Sequence, residues 1–297
     1  MGLKWLFFKL AFLYPRIYAF FCYFRKKDRR AEFEEKVKLF FDPGADPAKV
    51  KRIVRGIFEI RGSRKMQRYL LPRIDQEFVR QFVTIEGLYL LDQALKRGRG
   101  VLMIAGHIGN PHIGFNIVRV LGYDLTIIKG GKTKIPRFPK IRYSDPLEFT
   151  IFTEDASLSK TAKARALEIL QSSGRILYYS GDAIEGKRKV EVPFLGHMMQ
   201  FPTGTLHMAA QANAIVLPVI HLYRHGKIQL IFKEPMDRQW MLGPEDYERI
   251  AGEFAKLLES YILPHPEEYM GMYGHTVLNN CYRTLKGQIS QSSGGEE

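Results

Sequence analysis

The chain has 297 residues, of which 45% are hydrophobic, and a formal net charge of +14. This length and composition exclude a disordered polar tail and allow one large domain or two small ones. The two cysteines, Cys22 and Cys281, lie far apart and lack metal-ligand spacing, so the sequence predicts neither a disulfide framework nor a zinc site. We therefore expect a reducing, cytosol-facing location.

The positive charge is concentrated in the first part of the chain. Residues 1–80 hold 20 Lys and Arg against 9 Asp and Glu, an excess of 11 out of the total of 14. Nucleic acid, anionic lipid and an acidic carrier protein all attract such a surface. The sequence has no recognition-helix, zinc-finger or aromatic RNA-binding motif, so we expect no nucleic-acid partner.

The segment WLFFKLAFLYPRIYAFFCYF, residues 5–24, precedes the basic run RKKDRR at 25–30. Its length is close to the ~20 apolar residues that span a bilayer, but Pro15 and Arg16 lie at its midpoint, where a charge is costly. We expect an aromatic-rich helix in the membrane interface, kinked at Pro15, whose basic run contacts anionic headgroups. The alternative is a true span with its basic end in the cytoplasm. No small-residue cleavage site follows, so a signal peptide is not expected.

The rest of the chain changes character at residue 83. Residues 30–82 have helical periodicity, with Asp46 as an N-cap before Pro47. Beyond them, helical segments alternate with strand-like runs, which are FVTIEG, GVLMIAG, YDLTII, RILYYSG, KVEVPFLG, AIVLPVIHLY and KIQLIFKEP. This alternation predicts an α/β fold, a central mixed sheet covered by helices, over residues 31–285. Residues 1–30 would form the membrane-associated helical segment, and the polar residues 286–297 a disordered tail.

The stretch AGHIGNPHIG, residues 105–114, follows the buried strand GVLMIAG. His107 should therefore emerge at the carboxyl edge of the sheet, where ligands bind open α/β sheets. Asn110 is a good N-cap and Pro111 fits the first position of a helix whose amino end favours anions. A neutral imidazole at this place can remove a proton from an attacking hydroxyl, although a lone histidine is as often a hydrogen-bonded core residue.

Three stretches together resemble a known family, the lipid A biosynthesis acyltransferases of the lysophospholipid-acyltransferase-like superfamily. GHIGNPH resembles the family's first signature, a histidine followed five positions later by Glu or Asp. YYSGDAIEGKRKVEVPFLGHMMQFPTG, residues 178–204, is similar to the second, and FAKLLESYILPHPEEY, residues 254–269, to the carboxyl-terminal helix that ends in Pro-Glu-Gln-Tyr. The three follow one another in the family's order.

The resemblance implies a glycerol-3-phosphate-acyltransferase-like fold and transfer of a fatty acyl group from acyl carrier protein or coenzyme A. The acceptor would be a hydroxyl of an anionic membrane lipid or glycolipid at the cytoplasmic face of the inner membrane. His107 would be the general base and Asp182 the carboxylate of the second signature. No cofactor or metal is expected, and with no serine or cysteine beside the histidine, no covalent acyl-enzyme.

Further candidates for substrate binding are mostly basic. The stretch KGGKTKIPRFPKIR, residues 129–142, has six Lys and Arg and no acid, which suits a phosphorylated lipid or the phosphate arm of a donor. It could also be a solvated loop. The family has an arginine between its first two signatures, for which Arg142 and Arg165 are both candidates. The full set of candidate substrate-binding residues is Asn110, Lys132, Lys134, Arg137, Arg142, Arg165 and Gly186.

Position 112 departs from the family because histidine replaces the carboxylate. The helix dipole disfavours a positive imidazole there, so we expect a neutral His112 that accepts a hydrogen bond from His107. Three outcomes remain open: acyl transfer with the swap tolerated or with Asp182 or another acid orienting His107, related chemistry on another substrate, or a non-catalytic binder of lipid or acyl carrier protein. A metal site built from His107, His112 and perhaps His197 or His207 is a further alternative.

Overall fold

The computed structural model describes residues 3–130, 148–152, 156–184, 186–224, 227–236, 244–273 and 276–292. The helices are α1 (Leu3–Arg25), α2 (Lys27–Phe40), α3 (Pro47–Leu70), α4 (Gln76–Phe82), α5 (Leu88–Lys96), α6 (Pro111–Val120), α7 (Ala156–Gln171), α8 (Gly204–Gln211), α9 (Pro244–Ile262) and α10 (Val277–Ser292). The strands are β1 (Val83–Glu86), β2 (Val101–Ala105), β3 (Asp124–Gly130), β4 (Glu148–Phe152), β5 (Arg175–Ser180), β6 (Lys189–Phe194), β7 (His197–Pro202), β8 (Ile215–Arg224) and β9 (Lys227–Phe232).

Seven strands form one mixed sheet in the order β1-β9-β8-β2-β5-β3-β4. All neighbouring pairs are parallel except β8 and β9, which form an antiparallel pair. Strands β6 and β7 make a separate antiparallel hairpin. The predicted central mixed sheet is confirmed, and β2 lies at its centre between two parallel neighbours.

Helices cover both faces of the sheet. On β2, Val101, Met103 and Ala105 face a core completed by α4, α5 and α6. Leu102 and Ile104 face the opposite core, which includes residues of α7, α8, α9 and the β6–β7 hairpin. Because both faces are buried, β2 is a continuous apolar run, as the sequence GVLMIAG indicated.

The amino-terminal helices form a third layer beside this sheet. Helix α1 packs along α3, and Gly62 permits the close approach, since a Cβ there would lie 2.9 Å from the Cα of Pro15. Asp46 caps α3 as predicted, accepting hydrogen bonds from the backbone N–H groups of Ala48 and Lys49. Pro15 lies inside α1. Within the described residues, no helix has both the length and the apolar character needed to cross a bilayer.

The carboxyl-terminal region requires one correction. Helix α10 continues through Ser292, so much of the range 286–297, which the sequence assigned to a disordered tail, is helical. The physical reason is that Val277, Leu278 and Tyr282 are buried at helical spacing in the first part of α10, and the helix that they anchor continues into the polar residues after 285. Residues 293–297 lie outside the described part of the chain.

A fully buried lysine connects an amino-terminal helix to the carboxyl-terminal region. The Nζ of Lys36 on α2 donates to the carbonyl oxygen of Met272 at 2.7 Å and to Oδ1 of Asn279 at 2.6 Å, and it pairs with Glu32. Burial lowers the pKa of Lys36 in spite of the adjacent Glu32 carboxylate. The lysine therefore fastens α2 to α10 and to the segment that ends at Tyr273.

Lys36→Met should destabilise the fold by roughly 2–4 kcal/mol, because it leaves a carboxylate and two buried oxygens without their donor. Denaturant titration measures the change. The matched control is Lys38→Met, on the exposed face of the same helix, which should change stability by no more than about 0.5 kcal/mol. Equal effects of the two substitutions would contradict this role for Lys36.

Candidate active site

The imidazole of His107 and the carboxylate of Asp182 meet at the carboxyl edge of the sheet. His107 follows β2 and Asp182 follows the adjacent strand β5, so parallel pairing brings both to one edge. The Nδ1 of His107 lies 2.6 Å from Oδ1 of Asp182. The backbone N–H of His107 also donates to the two oxygens of Asp182, at 3.1 and 3.0 Å.

Asp182 is completely buried, whereas the side chain of His107 is 27% exposed. The hydroxyl of Tyr269 donates to Oδ2 of Asp182 at 3.0 Å, so four contacts hold the carboxylate. Burial alone would raise the pKa of Asp182, but the adjacent charge of His107 and the hydrogen bonds from His107 and Tyr269 lower the pKa below its ordinary value. Asp182 is therefore an ionised, acceptor-only group.

This pairing fixes the chemistry available to the imidazole. Because an ionised carboxylate can only accept, Nδ1 of His107 must carry the proton in the neutral ring. Nε2 is then the nitrogen with the lone pair. An imidazole oriented in this way can accept a proton at Nε2, while the carboxylate stabilises the imidazolium that results.

Two glycines make the approach of the two loops possible. A Cβ at Gly181 would lie 2.6 Å from the side chain of Ile104 and 2.7 Å from that of Phe254, so a larger residue would have to displace both beside Asp182. Gly109 has a φ of +60°, and a Cβ on it would lie 2.3 Å from the carbonyl oxygen of His221. The small residues around His107 thus serve the backbone.

The start of α6 is built as its sequence predicted. The side chain of Asn110 caps the helix by accepting from the backbone N–H of His112 at 3.1 Å, and Pro111 is the first helical residue. The ring of His112 is half-buried and lies against Phe115, with ring centroids 5.3 Å apart. The carboxylate on Nδ1 of His107 comes from Asp182. Because neutral His107 donates its one N–H to Asp182, the expected hydrogen bond from His107 to His112 would require the protonated ring.

Comparison with known proteins identifies the family. The family model described as bacterial lipid A biosynthesis acyltransferase matches residues 9–273. The chain belongs to this family. It is similar to a solved structure, the 1-acyl-sn-glycerophosphate (LPA) acyltransferase PlsC from Thermotoga maritima, at 16% identity over 86% of this chain and 98% of that one, with a TM-score of 0.38. No curated protein matches the chain significantly.

The protein is accordingly an acyltransferase of lipid biosynthesis. In this acyltransferase the histidine of the first signature and the aspartate of the second, 75 residues apart in sequence, are in direct contact. The third signature contributes the tyrosine hydroxyl on the same aspartate. All three stretches that carried the resemblance therefore meet at one point.

The other candidate residues are distributed differently. Lys132, Lys134, Arg137 and Arg142 lie outside the described residues. Arg165 lies on α7, where it pairs with Glu168. Gly186 is exposed in the turn that follows Asp182 and has a φ of +119°, which suits a role in the backbone turn.

The acyltransferase also uses residues that the sequence did not nominate. Besides Tyr269, the buried Glu268 accepts from the backbone N–H of Tyr223 at 3.0 Å and from Nε of Arg224 at 3.2 Å. Its carbonyl oxygen accepts from the N–H of Gly109, so Glu268 holds the loop that carries His107. Tyr269 and Glu268 could have been predicted as site residues, because they lie at the end of the third signature, PEEY.

The histidines considered for a metal site have other surroundings. His197 on β7 contacts the carbonyl oxygen of Leu39 at 3.3 Å, and His207 on α8 contacts Arg188. Over the ranges that the structure describes, no group of three or more His, Cys, Asp or Glu side chains could hold a metal ion.

Proposed function

We propose that the acyltransferase transfers a fatty acyl chain from an acyl thioester to a hydroxyl of a membrane lipid or glycolipid, with His107 as the general base. The observation that supports this reaction best is the contact between Nδ1 of His107 and the buried carboxylate of Asp182. It supplies the oriented base that such an attack needs, and it does so without a carboxylate at position 112.

The proposed reaction proceeds by direct attack of the acceptor. Nε2 of His107 takes the hydroxyl proton as the oxygen forms a bond to the thioester carbonyl carbon. The tetrahedral intermediate then collapses, its carbon–sulfur bond breaks, and the thiolate leaves and takes the proton back from the imidazolium. Asp182 remains ionised throughout and stabilises the imidazolium.

The oxyanion of that intermediate needs hydrogen-bond donors. Three backbone N–H groups near His107 are already used, because those of His107, Gly109 and His112 donate to Asp182, Glu268 and Asn110 respectively. We therefore propose that other N–H or basic donors near residues 107–112 stabilise the oxyanion.

In this proposal the acyl donor is a thioester of acyl carrier protein or of coenzyme A. Both donors carry phosphate, so a positively charged surface should bind them. Two cations on the described surface, Lys163 and Arg188, support this proposal, and both lie near His207. Nη1 of Arg188 lies 3.1 Å from Nδ1 of His207. Burial, followed by the charges of Arg188 and Lys163, lowers the pKa of His207, so the histidine is a neutral member of a cationic group that suits an anion.

An assay of donor and acceptor together tests this function. Purified protein in detergent or vesicles would be incubated with acyl-carrier-protein and coenzyme A thioesters against lipid and glycolipid acceptors, and the products identified by mass spectrometry. An acylated lipid whose formation depends on the protein supports the proposal. Hydrolysis of the thioester without an acylated acceptor would refute transfer to a lipid hydroxyl.

We further propose that α1 lies in the interface of the cytoplasmic face of the inner membrane. One face of the helix, with Ala19 and Cys22, is buried against the neighbouring helices. The other presents large apolar side chains at helical spacing, namely Tyr14, Ile17, Phe20, Phe21 and Phe24. The exposed basic run at 25–29 follows directly and would contact anionic headgroups.

Replacing Phe20 and Phe21 by serine should weaken binding to anionic vesicles at least about tenfold, because each buried aromatic side chain contributes roughly 1.5–3 kcal/mol. These side chains are 60% and 55% exposed. Vesicle co-sedimentation at several salt concentrations measures the effect. The control is Tyr89→Ser on α5, which is 59% exposed, and an equal loss in that variant would contradict a specific role for α1.

A further inference from the structure

Three polar atoms are buried beneath α6 without a protein partner. They are the hydroxyl of Tyr178 and the two ring nitrogens of His221, and within the described part of the chain none of them makes a hydrogen bond. Tyr178 and His221 are both almost completely inaccessible to solvent. Such atoms are rare in folded proteins, because each costs roughly 1–3 kcal/mol when left unsatisfied.

The two side chains lie on the same face of the sheet, on either side of β2. Tyr178 on β5 is paired with Met103, and Val219 on β8 with Ala105. Because side chains alternate along a strand, His221 projects to the same face as Val219, one step closer to the carboxyl edge where His107 emerges. The ring centroids of Tyr178 and His221 are 5.9 Å apart.

Helix α6 closes this space from above. A Cβ at Gly114 would lie 1.8 Å from Cδ2 of His221, so the absence of a side chain there is what admits the imidazole. The ring of Phe115 packs edge-on against Tyr178, with centroids 5.4 Å apart. The polar atoms are thus enclosed between the sheet and the first two turns of the helix.

Both groups are neutral in this environment. Burial lowers the pKa of His221 to about 3, and burial together with the charge of Asp182 raises the pKa of Tyr178. A neutral imidazole offers one donor and one acceptor, and a phenol offers one donor and acceptor lone pairs. A water molecule, which donates two hydrogen bonds and accepts two, can bond the phenol and one of the two ring nitrogens.

We propose that Tyr178 and His221 bind one internal water molecule beneath α6. The rings that carry these atoms have centroids 5.9 Å apart, so the two side chains are neighbours and one water molecule can reach the hydroxyl and a ring nitrogen. The bound water would link β5 to β8 across β2, beneath α6. This inference is independent of the acyl-transfer proposal, and its test does not use turnover.

Tyr178→Phe, which conserves volume, distinguishes a bonded hydroxyl from an unsatisfied one. If the hydroxyl holds water, the variant should raise the unfolding equilibrium constant of the full chain about threefold to tenfold. Tyr123→Phe calibrates the assay, because the hydroxyl of Tyr123 donates directly to Asp92 at 2.7 Å. A Tyr178→Phe variant as stable as the wild type, or more stable, would overturn the proposal.

A second measurement identifies the ligand. A crystal structure that resolves waters should show one within about 3 Å of Oη of Tyr178 and of a ring nitrogen of His221. Density for a direct hydrogen bond between the two side chains would contradict the site. In a His221→Phe background Tyr178→Phe should have a smaller effect than in the wild type, since the water is already weakened. An undiminished effect there would show that the two residues share no ligand.

Discussion

His107→Ala should lower kcat for acyl transfer by about 10²–10⁴-fold, because it removes the group that accepts the proton of the attacking hydroxyl. The side chain is partly exposed, so its loss leaves no large cavity in the core and the fold should persist. The KM for the thioester should change much less, since the proton acceptor acts in the transition state. Steady-state kinetics with the donor and acceptor that the assay identifies would measure both constants.

The matched control is His197→Ala, which makes the same substitution on the β6–β7 hairpin. His197 contacts a backbone carbonyl on α2 and makes no contact with the His107–Asp182 pair among the interactions of the described residues. It should retain turnover close to that of the wild type. Unaltered turnover in His107→Ala, with folding verified by circular dichroism, would exclude His107 as the base.

The loop that carries His107 was predictable because its signals are local. An apolar run ending in glycine indicates a buried strand, and Asn110 followed by Pro111 indicates a helix start, so a few residues determine strand, turn and helix. Position at the sheet edge then follows from the strand itself. The structure has β2 and α6 where this reasoning placed them.

The meeting of His107 with Asp182 has a different origin. The residues near His107 and Asp182 do not indicate which strands are neighbours in the sheet. Strands β2 and β5 are not consecutive in the chain, and they are adjacent only through the topology of the whole sheet. The family resemblance linked the two signatures and left open whether Asp182 or another acid orients His107, and the observed contact favours Asp182. Tyr269 was missed as well, since its hydroxyl reaches Asp182 from 87 residues away in sequence.

The hairpin strand β7 was missed because its turn has unusual chemistry. Short hairpin turns that need positive φ at both central residues favour Asn-Gly or Asp-Gly, whereas here Leu195 and Gly196 have φ values of +50° and +78°. A leucine gives no such signal. Its conformation is supported from outside the hairpin, because the backbone N–H of Leu195 donates to Glu259 on α9. A tertiary contact therefore determines the local backbone.

Asp182→Asn should reduce kcat by about 10³–10⁴-fold, although the amide has nearly the same shape as the carboxylate. An amide can donate to Nδ1 of His107, which would favour the tautomer with the proton on Nε2 and leave the wrong nitrogen facing the acceptor hydroxyl. It also loses the negative charge that stabilises the imidazolium. The same kinetic assay measures the loss.

The pH dependence of stability gives an independent readout of the same residue. The pKa of Asp182 is lowered by folding, so its ionised form stabilises the fold above the unfolded-state pKa of about 3.9 and this contribution disappears as the pH falls through the folded-state pKa. The wild type should therefore be more stable than Asp182→Asn near neutral pH, and the difference should narrow in acid.

The control for the kinetic prediction is Asp124→Asn, at the exposed salt bridge to Arg175, which should show little change in turnover. If Asp182→Asn kept wild-type turnover, another group would have to orient His107, and His112 would be the first residue to test.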